Sequence, residues 1–446
     1  MALTKPQPEI LEAFDGRYLS SYKKPIHNIS SHKVNWRLVT PRDSKTSTYY
    51  NSADNKEIVF QFHRNPNELT CPGKAEINIS AFWIDGVSAP LTAANNHLPL
   101  LGVWQMRYAR LEINDRLVEE IPEQADHVLF TNILSMMSRD QMFASDDILL
   151  LSGKQYNPFG FAVATTTSAS SDESVNLVTN GKLASHTVAY TQRLPLKYLF
   201  RSLSNENIYN NIDKMTVTLR FPIESYDGWF RQSSGGAVIP HVGINEANMW
   251  VPTYEKTGKQ AEKNSEYVAQ GQTEYMNFIE RRCSSESFTS GATFRRASIA
   301  NLERAWLAFS AYDVAATNSK THEYLRNGIT SIEAKYSNFS LPESGSLTLY
   351  SATDQNINEL RMLWIESVYP EESAMIPFSS YEMQNTMFLM RFATKTISEN
   401  NLIQANMPSD FSFRLNGAAT HNILIFLDTR KIVAIRADGS VESLMS

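Results

Sequence analysis

The sequence has little cysteine and no long apolar run. Its two cysteines, Cys71 and Cys283, can neither build a disulfide framework nor fill a four-ligand zinc site, so we expect a reducing compartment. The most apolar late segment, 423–427, is far shorter than the ~20 residues that a membrane-spanning helix needs. Charged residues interrupt positions 5–15, and we expect neither a signal peptide nor a membrane anchor.

Basic charge is also not in excess. The 41 lysines and arginines are outnumbered by 47 aspartates and glutamates, which gives a net charge of −6. A protein that coats nucleic acid usually carries a basic surplus. Any contact with a genome must therefore be local or indirect, and we predict no sequence-specific binding of nucleic acid.

Motifs for catalysis and for phosphate binding are missing. The sequence contains no G-x-x-x-x-G-K-[ST], no G-x-G-x-x-G and no G-x-S-x-G pattern. His322-Glu323 begins like a zinc-protease helix, but the next ligand position holds Arg326. The carboxylates of Asp146-Asp147 and of Glu371-Glu372 would point apart in an extended chain. We predict no catalytic, cofactor-binding or metal-binding residues.

The composition is that of a folded, strand-rich protein. Hydrophobic residues make up 42% of the chain and charged residues 20%, and the 11% of aromatic residues favours strands. At 446 residues the chain is too long for one ordinary core. Two domains of roughly 200 residues fit the usual size range.

The segment Met106–Met137 combines several signals. An alternating strand leads to a turn at Asn114-Asp115, and a second extended piece follows. A helix over 122–138 is then predicted, with Pro122 at its first position. Its apolar residues recur at steps of three and four and predict a single apolar stripe: Ala125, Val128, Leu129, Ile133, Met136 and Met137.

A similar order of elements begins at Ile329, where a strand, a turn, an extended piece and a predicted helix over 352–365 follow one another. Ile332 matches Ile113 at an offset of 219 residues, close to half of the chain. Strand, turn and helix is a common order, so this recurrence alone is weak. Two further pairs support a duplication: segment 77–83 matches 305–312, and the closing strand 215–221 is matched to 422–427.

These patterns predict an N-terminal arm over 1–50, a first β domain over 51–231, a linker over 232–272 and a second β domain over 273–446. The arm is either a loosely attached terminus or a segment that reaches a neighbouring subunit or an interior surface. The second reading rests on its aromatic and apolar residues, which are costly to leave in water: Tyr18, Tyr22, Trp36 and Leu38. The Ser/Thr-rich segment 153–180 predicts a long exposed loop.

The chain resembles the double jelly-roll major capsid proteins, the family of the adenovirus hexon and of the capsid proteins of polinton-like and adintovirus-like elements. The stretches that carry the resemblance are Val103–Ser138, Gln192–Phe200 with Asn210–Leu219, and the final hairpin Asn422–Val441. It implies an all-β protein with a few short helices, built from two tandem jelly-roll β-sandwiches. It also implies a pseudo-hexagonal homotrimer.

The resemblance implies a structural, non-enzymatic protein of the virion whose trimers tile an icosahedral shell around a DNA genome. Its partners would be further copies of itself in neighbouring capsomers, together with penton and minor capsid proteins, and it would need no cofactor. The predicted helices 122–138 and 352–365 would flank the sandwiches and help to fix the spacing between subunits. The 153–180 loop would suit the outer face.

Two other classes stay open from the residues alone. A cellular two-domain β-sandwich could bind carbohydrate by stacking sugars on Trp229, Trp250 or Tyr254, but these residues lie in or beside the linker, and packing between the domains explains them better. An enzyme on a β-sandwich scaffold is the third class, and the missing motifs argue against it.

Overall fold

Two similar sets of antiparallel sheets follow one another along the chain. The computed structural model describes residues 34–42, 57–84, 96–98, 104, 106–136, 175–176, 190–221, 231–232, 241–256, 271–287, 290–291, 293–300, 302–310, 329–336, 339–341, 347–348, 388–391, 409–417 and 422–445.

The first half contains twelve described strands: β1 (Val34–Val39), β2 (Glu57–His63), β3 (Glu68–Thr70), β4 (Glu76–Ile84), β5 (Asn96–Leu98), β6 (Tyr108–Ile113), β7 (Arg116–Ile121), β8 (Val175–Asn176), β9 (Tyr190–Pro195), β10 (Lys214–Arg220), β11 (Arg231–Gln232) and β12 (His241–Glu255). Its described helical elements are α1 (Ala125–Met136), α2 (Leu196–Leu199) and the 3-10 turns Pro72–Lys74 and Arg201–Leu203.

The second half contains ten described strands: β13 (Thr273–Ser287), β14 (Thr293–Ile299), β15 (Leu302–Ser310), β16 (Ile329–Tyr336), β17 (Phe339–Leu341), β18 (Leu347–Thr348), β19 (Phe388–Arg391), β20 (Ser409–Gly417), β21 (Asn422–Arg436) and β22 (Val441–Met445).

Nine strands of the first half form two sheets: β1-β12-β4-β9, in which β3 also pairs with β12, and β2-β10-β6-β7. The chain changes sheet at almost every step from one of these strands to the next, which is the topology of a jelly roll. Residues that alternate along the strands supply the interior. Ile58, Phe60 and Phe62 of β2 are buried, as are Met215 and Val217 of the neighbouring β10.

The second half repeats this topology. Its sheets have the orders β13-β21-β15-β19 and β14-β20-β16-β17, which correspond strand for strand to those of the first half. Among the described strands, every pairing lies within one half. The predicted fold, two tandem jelly-roll sandwiches with few helices, is confirmed.

The strand correspondence corrects one part of the predicted duplication. The strands that contain Ile113 and Ile332 are equivalent, because β6 and β16 occupy the same position in their sheets, but Ile113 ends β6 whereas Ile332 lies four residues before the end of β16. The match of 215–221 with 422–427 is wrong, because β10 corresponds to β20 and β21 corresponds to β12. The true match of β21 is β12, which lies inside the predicted linker, so the sequence pattern paired β21 with the wrong strand.

The predicted limits of the arm and linker are wrong for two segments. Strand β12 lies inside the predicted linker 232–272, yet it pairs with β4 and β1 in the middle of a sheet. Strand β1 lies inside the predicted arm 1–50 and forms the edge of that same sheet. Each segment gains backbone hydrogen bonds from a partner more than 150 residues away, a pairing that local composition does not reveal.

Strand β21 was predicted as two strands, 422–428 and 431–436, but it is continuous. It pairs with β13 without interruption from Asn422 to Arg436. Its predicted burial on both faces is confirmed for the described side chains. Ile423 and Ile425 enter the core of the second sandwich, whereas Leu424 and Phe426 join the core cluster of the first half.

Helix α1 begins at Ala125, so the prediction of Pro122 at its first position is wrong. The amides of Ala125 and Asp126 donate to the carbonyls of Arg107 and Met106, and Gln124, at φ 55, makes the turn into the helix. The predicted single apolar stripe is also incomplete, since the second half covers the polar side of the helix. Its buried polar residues are Asp126, His127, Thr131, Asn132 and Ser135.

Several predictions fall on other parts of the chain. The helix 352–365, the turn at 337–338, Met137 and Trp229 lie outside the described residues. So does the 153–180 loop, except for Val175–Asn176, which pair with β5 as a short strand. No helix in the described ranges is long and apolar enough to cross a membrane.

Candidate functional site: the internal interface between the two jelly rolls

The two halves meet where helix α1 and residues 196–213 of the first half face strands β13 and β21 of the second half. We call this contact the internal interface. Its apolar part comes from the second-half side chains that join the first-half core: Met276, Phe278, Cys283, Leu424, Phe426, Val433 and Ile435. These residues are at most 5% exposed and belong to the same apolar cluster as the first-half core, so that cluster spans the internal interface. The interior of the second sandwich forms a separate cluster.

Buried ions at one end of the internal interface connect the strands of the second half to helix α1. Asp428 Oδ1 lies 2.7 Å from Arg281 Nε, and Asp428 Oδ2 lies 2.7 Å from Arg304 Nε. All three side chains are almost completely buried. Arg281 Nη1 also donates to Asn132 Oδ1 of α1 at 3.1 Å. Burial lowers the pKa of Arg281, while Asp428 acts in the opposite direction.

At the other end of the internal interface, hydrogen bonds from the second half fix the loop 204–213. The carboxylate of Glu274, on β13, accepts hydrogen bonds from the backbone amides of Asn210 and Asn211, each at 2.9 Å. The side chain of Asn211 donates to the carbonyl of Ile435 on β21 at 3.1 Å. Glu274 is fully buried, so its charge is compensated by amides that belong to the other half.

The turn between β6 and β7 adds a third contact. Asn114 and Asp115 have φ of 48° and 63°, which is the left-handed conformation that asparagine and aspartate tolerate. Asn114 Nδ2 donates to the carbonyls of Asn211 at 2.8 Å and Gly439 at 3.0 Å. Its Oδ1 accepts from the amides of Asp213 and Lys214. The turn is thereby bonded to the hairpin between β21 and β22.

A buried pair of carboxylates lies between these ends. A β-bulge in the pairing of β6 with β7 directs both Val118 and Glu119 inward. The carbonyl of Val118 accepts from Lys431 Nζ at 2.6 Å, and Lys431 also contacts Glu280 at 3.3 Å. The carboxylate of Glu119 accepts from the amides of Arg201 and Ser202 at 3.1 and 2.9 Å.

Sequence reasoning missed the charged residues of the internal interface. A signal was present in β21, where the polar stretch Asp428–Lys431 separates two apolar runs and carries a charge at each end. Splitting β21 into two strands placed both charges at strand ends, where they would be solvated. Read as one continuous strand, the same residues require buried partners for both charges.

The residues weighed as site candidates do not converge. Tyr254 is 4% exposed and packs against Leu69 and Cys71 within the first half, so it cannot stack on a sugar and does not lie between the domains. His63 ends β2 at an exposed position. In the described ranges, no group of three or more His, Cys, Asp and Glu side chains is arranged to bind a metal.

Both thiols are buried. Burial raises the pKa of Cys71 to about 11 and raises that of Cys283 as well, so neither side chain has the character of a reactive thiolate.

An apolar stripe is exposed on edge strand β1. Val34, Trp36 and Leu38 point to the same side and are 44%, 50% and 50% exposed. Side chains of this size are seldom left in water in a row. The stripe lies beside an unpaired strand edge in the described sheet.

Solved structures with the same fold are viral. A chain of the Sputnik virophage, in a cryo-EM structure, aligns with a TM-score of 0.60 at 9% identity, over 93% of this chain and 88% of its own length. The fold of this chain is that of the double jelly-roll capsid proteins. VP54 of PBCV-1 aligns at 0.51 with 9% identity, over 93% of this chain and 97% of its own. The mavirus major capsid protein aligns at 0.50 with 11% identity, over 92% and 89%.

No protein-family model matches the sequence, and no curated protein is significantly similar to it. At identities of 9–11%, the double jelly-roll fold has been retained with almost no shared residues. The similarity to these structures therefore lies in the alternation of buried residues along the strands and in the order of the strands within the sheets.

Proposed function

We propose that this chain is a major capsid protein, a structural component of a virion whose copies assemble as trimers into an icosahedral shell around a DNA genome. The observation that carries the proposal is the repeated jelly roll, which aligns over more than nine tenths of the chain with a viral capsid structure. The role needs no catalytic or cofactor site.

The geometry of a closed shell explains why a chain with two similar sandwiches suits this role. Two similar sandwiches in one chain, repeated around a threefold axis, give six similar units and a nearly hexagonal outline. Such an outline packs in a plane without gaps, as a shell requires. A tile must also be rigid, and the internal interface holds its two sandwiches together through one apolar cluster that spans it and several buried polar contacts.

Self-association is the main partner interaction that we propose, first within the trimer and then between capsomers. The exposed stripe of Val34, Trp36 and Leu38 supports this, because burial against another molecule would remove apolar surface from water. Penton and minor capsid proteins would complete the shell. The domain limits that fit these sheets are a first jelly roll that ends near Glu255 and a second that begins near Thr273.

The carbohydrate-binding alternative is less favoured, since one of its three aromatic candidates is buried and another, Trp250, is half-buried in the middle strand of a sheet. Electron microscopy of the purified protein tests the proposal. Class averages with a hexagonal outline and threefold symmetry are expected. Single elongated two-lobed particles at every concentration, together with binding on a glycan array, would favour the alternative.

A further inference from the structure

We propose that the outward face of strands β1 and β12 is the docking surface for the second half of a neighbouring copy of this chain. This contact between chains repeats the internal interface, which joins the two halves within one chain. The inference rests on the proposed capsid function, because it specifies the two surfaces through which copies meet in the trimer.

Strands β1 and β12 of the first half correspond to β13 and β21 of the second half, because they occupy the same positions in their sheets. The end of β12 pairs with β1 on one side and β3 on the other, as the end of β21 pairs with β13 and β22. At this end Tyr254 pairs with Val34, and Ile435 pairs with Glu274. These two pairs align the strands residue by residue.

The side chains that follow on β1 and β13 face the same way. Counted from these pairs, Trp36 takes the place of Met276, and Leu38 takes the place of Phe278. Met276 and Phe278 face away from their own sandwich and join the apolar cluster of the first half. Val39 packs against the first-half core, so Trp36 and Leu38 also face away from their own sandwich.

The two halves differ in how far this outward face is covered. Against the first half, Met276 and Phe278 are 2% and 4% exposed, whereas Trp36 and Leu38 are each 50% exposed. Half-buried Trp250 lies directly across from Leu38 on β12, so the apolar surface extends over two adjacent strands. A surface that is buried at one position of the repeat is therefore left in water at the other.

A neighbouring second half is the occupant that the repeated fold favours. Within one chain, the first half presents α1, β7 and residues 196–213 to strands β13 and β21. Strand β17 is the counterpart of β7 in the second half. A contact between two different surfaces of identical chains is head-to-tail and can close a ring. Three chains, each with one internal and one external contact, then form a ring of six sandwiches.

The contact between chains is less polar than the internal one. Glu274 and Lys431 of the internal interface bond to backbone groups of the first half. Val34 and Trp250 take their positions in the first half. Apolar side chains need no hydrogen-bond partner, so two folded chains can meet here without burying a charge.

Trp36→Glu tests the docking surface. A carboxylate cannot be buried against apolar side chains without a large cost. The variant should therefore stay a monomer of 50.5 kDa by light scattering, under conditions in which the wild type has three times that mass. Leu117→Glu is the matched control and should keep the wild-type mass, because Leu117 is 42% exposed on β7, away from this face.

A trimeric Trp36→Glu, or a control that dissociates equally, would overturn this assignment and leave the capsid function standing. A wild-type monomer would contradict the proposed trimer and this contact together. A wild-type dimer that Trp36→Glu separates would indicate that the stripe pairs with itself, which also overturns the head-to-tail contact.

Hydrogen exchange identifies the partner surface. Exchange should be at least several-fold slower in the wild-type trimer than in the Trp36→Glu monomer, both in β1 and in β17. Slower exchange in β1 alone would contradict a contact with the second half of the neighbour.

Hydroxyl-radical footprinting of the assembled wild type needs no variant. After correction for the intrinsic reactivity of each residue type, Trp36 and Leu38 should be protected while Leu117 is oxidised. If Trp36→Glu does not fold, oxidation of Trp36 at the rate of a half-exposed side chain overturns the proposal by itself. The same result would follow if another strand added to the edge of β1, since this leaves the face of the sheet in water.

Discussion

Asp428 joins two arginines that have no contact with solvent. Its two oxygens are divided between Arg281 and Arg304, and Arg281 continues to helix α1 through Asn132. Removal of the negative charge takes the shared carboxylate away from two buried guanidinium groups. We predict that Asp428→Asn lowers the free energy of unfolding by about 3–5 kcal/mol, measured by urea denaturation.

The control for this variant is Asp115→Asn. Asp115 forms an exposed ion pair with Lys214, 70% of its side chain is in solvent, and asparagine accepts its backbone conformation. The loss should stay below about 1 kcal/mol. If Asp428→Asn lowers the free energy of unfolding by no more than Asp115→Asn does, another group compensates the charges of the buried arginines. The account of this end of the internal interface would then be wrong.

Asn114 tests the contact between the β6–β7 turn and the final hairpin. Asn114→Ala removes four hydrogen bonds of the side chain and forces alanine into a left-handed conformation. We predict a loss of about 2–4 kcal/mol in unfolding free energy. Asp115→Ala carries a similar backbone penalty at an exposed site, so the difference between the two variants measures the hydrogen bonds. Equal losses would contradict their importance.

At the scale of residues, the sequence predicted the turn at Asn114-Asp115, the strand 215–221 and the apolar positions of α1, because alternation and helical spacing are local signals. It did not predict the partners of Glu119, Glu274 or Asp428. Those contacts join residues up to 147 positions apart, and a charged residue in a strand looks the same in sequence whether solvent or another charge faces it.

At the scale of elements, strand β13 and the loop 204–213 couple the two sandwiches. Glu274→Gln replaces one carboxylate oxygen with an amide that cannot accept a hydrogen bond, so one of the amides of Asn210 and Asn211 loses its partner. We predict a loss of about 2–3 kcal/mol, and a calorimetric trace in which the halves begin to unfold separately. Glu255→Gln, which affects one exposed bond to Asn35, should keep a single transition. A single transition in Glu274→Gln as well would place the coupling in the apolar cluster alone.

The order of strands and helices could be predicted where a local sequence pattern defines each element, as it does for β6, β7 and α1. Strands β1 and β12 were missed because the segments around them contain proline and glycine and were therefore predicted to be an arm and a linker. Their stabilisation comes from pairing with each other across some 210 residues. Helix α1 was predicted to help fix the spacing between subunits, but nearly all of its described side chains are buried within the chain, which leaves little of the helix for a neighbouring subunit to contact.

At the scale of the whole molecule, the recurrence of pattern in the two halves predicted two similar β domains in tandem, and the resemblance to capsid proteins implied that each domain is a jelly roll. The order of strands in the sheets depends on long-range hydrogen bonds, and the structure supplied it. The orders β1-β12-β4-β9 and β13-β21-β15-β19 then give the correct equivalence of strands. The double topology is the observation on which the proposed role as a capsid tile rests.

The native mass of the purified protein, measured by light scattering on a sizing column, tests this central claim most directly. One chain has a mass of 50.5 kDa, and the account predicts a species of three times that mass that persists on dilution. A monomer that is stable across protein concentration and salt would contradict the trimeric tile, although the double jelly-roll fold would remain.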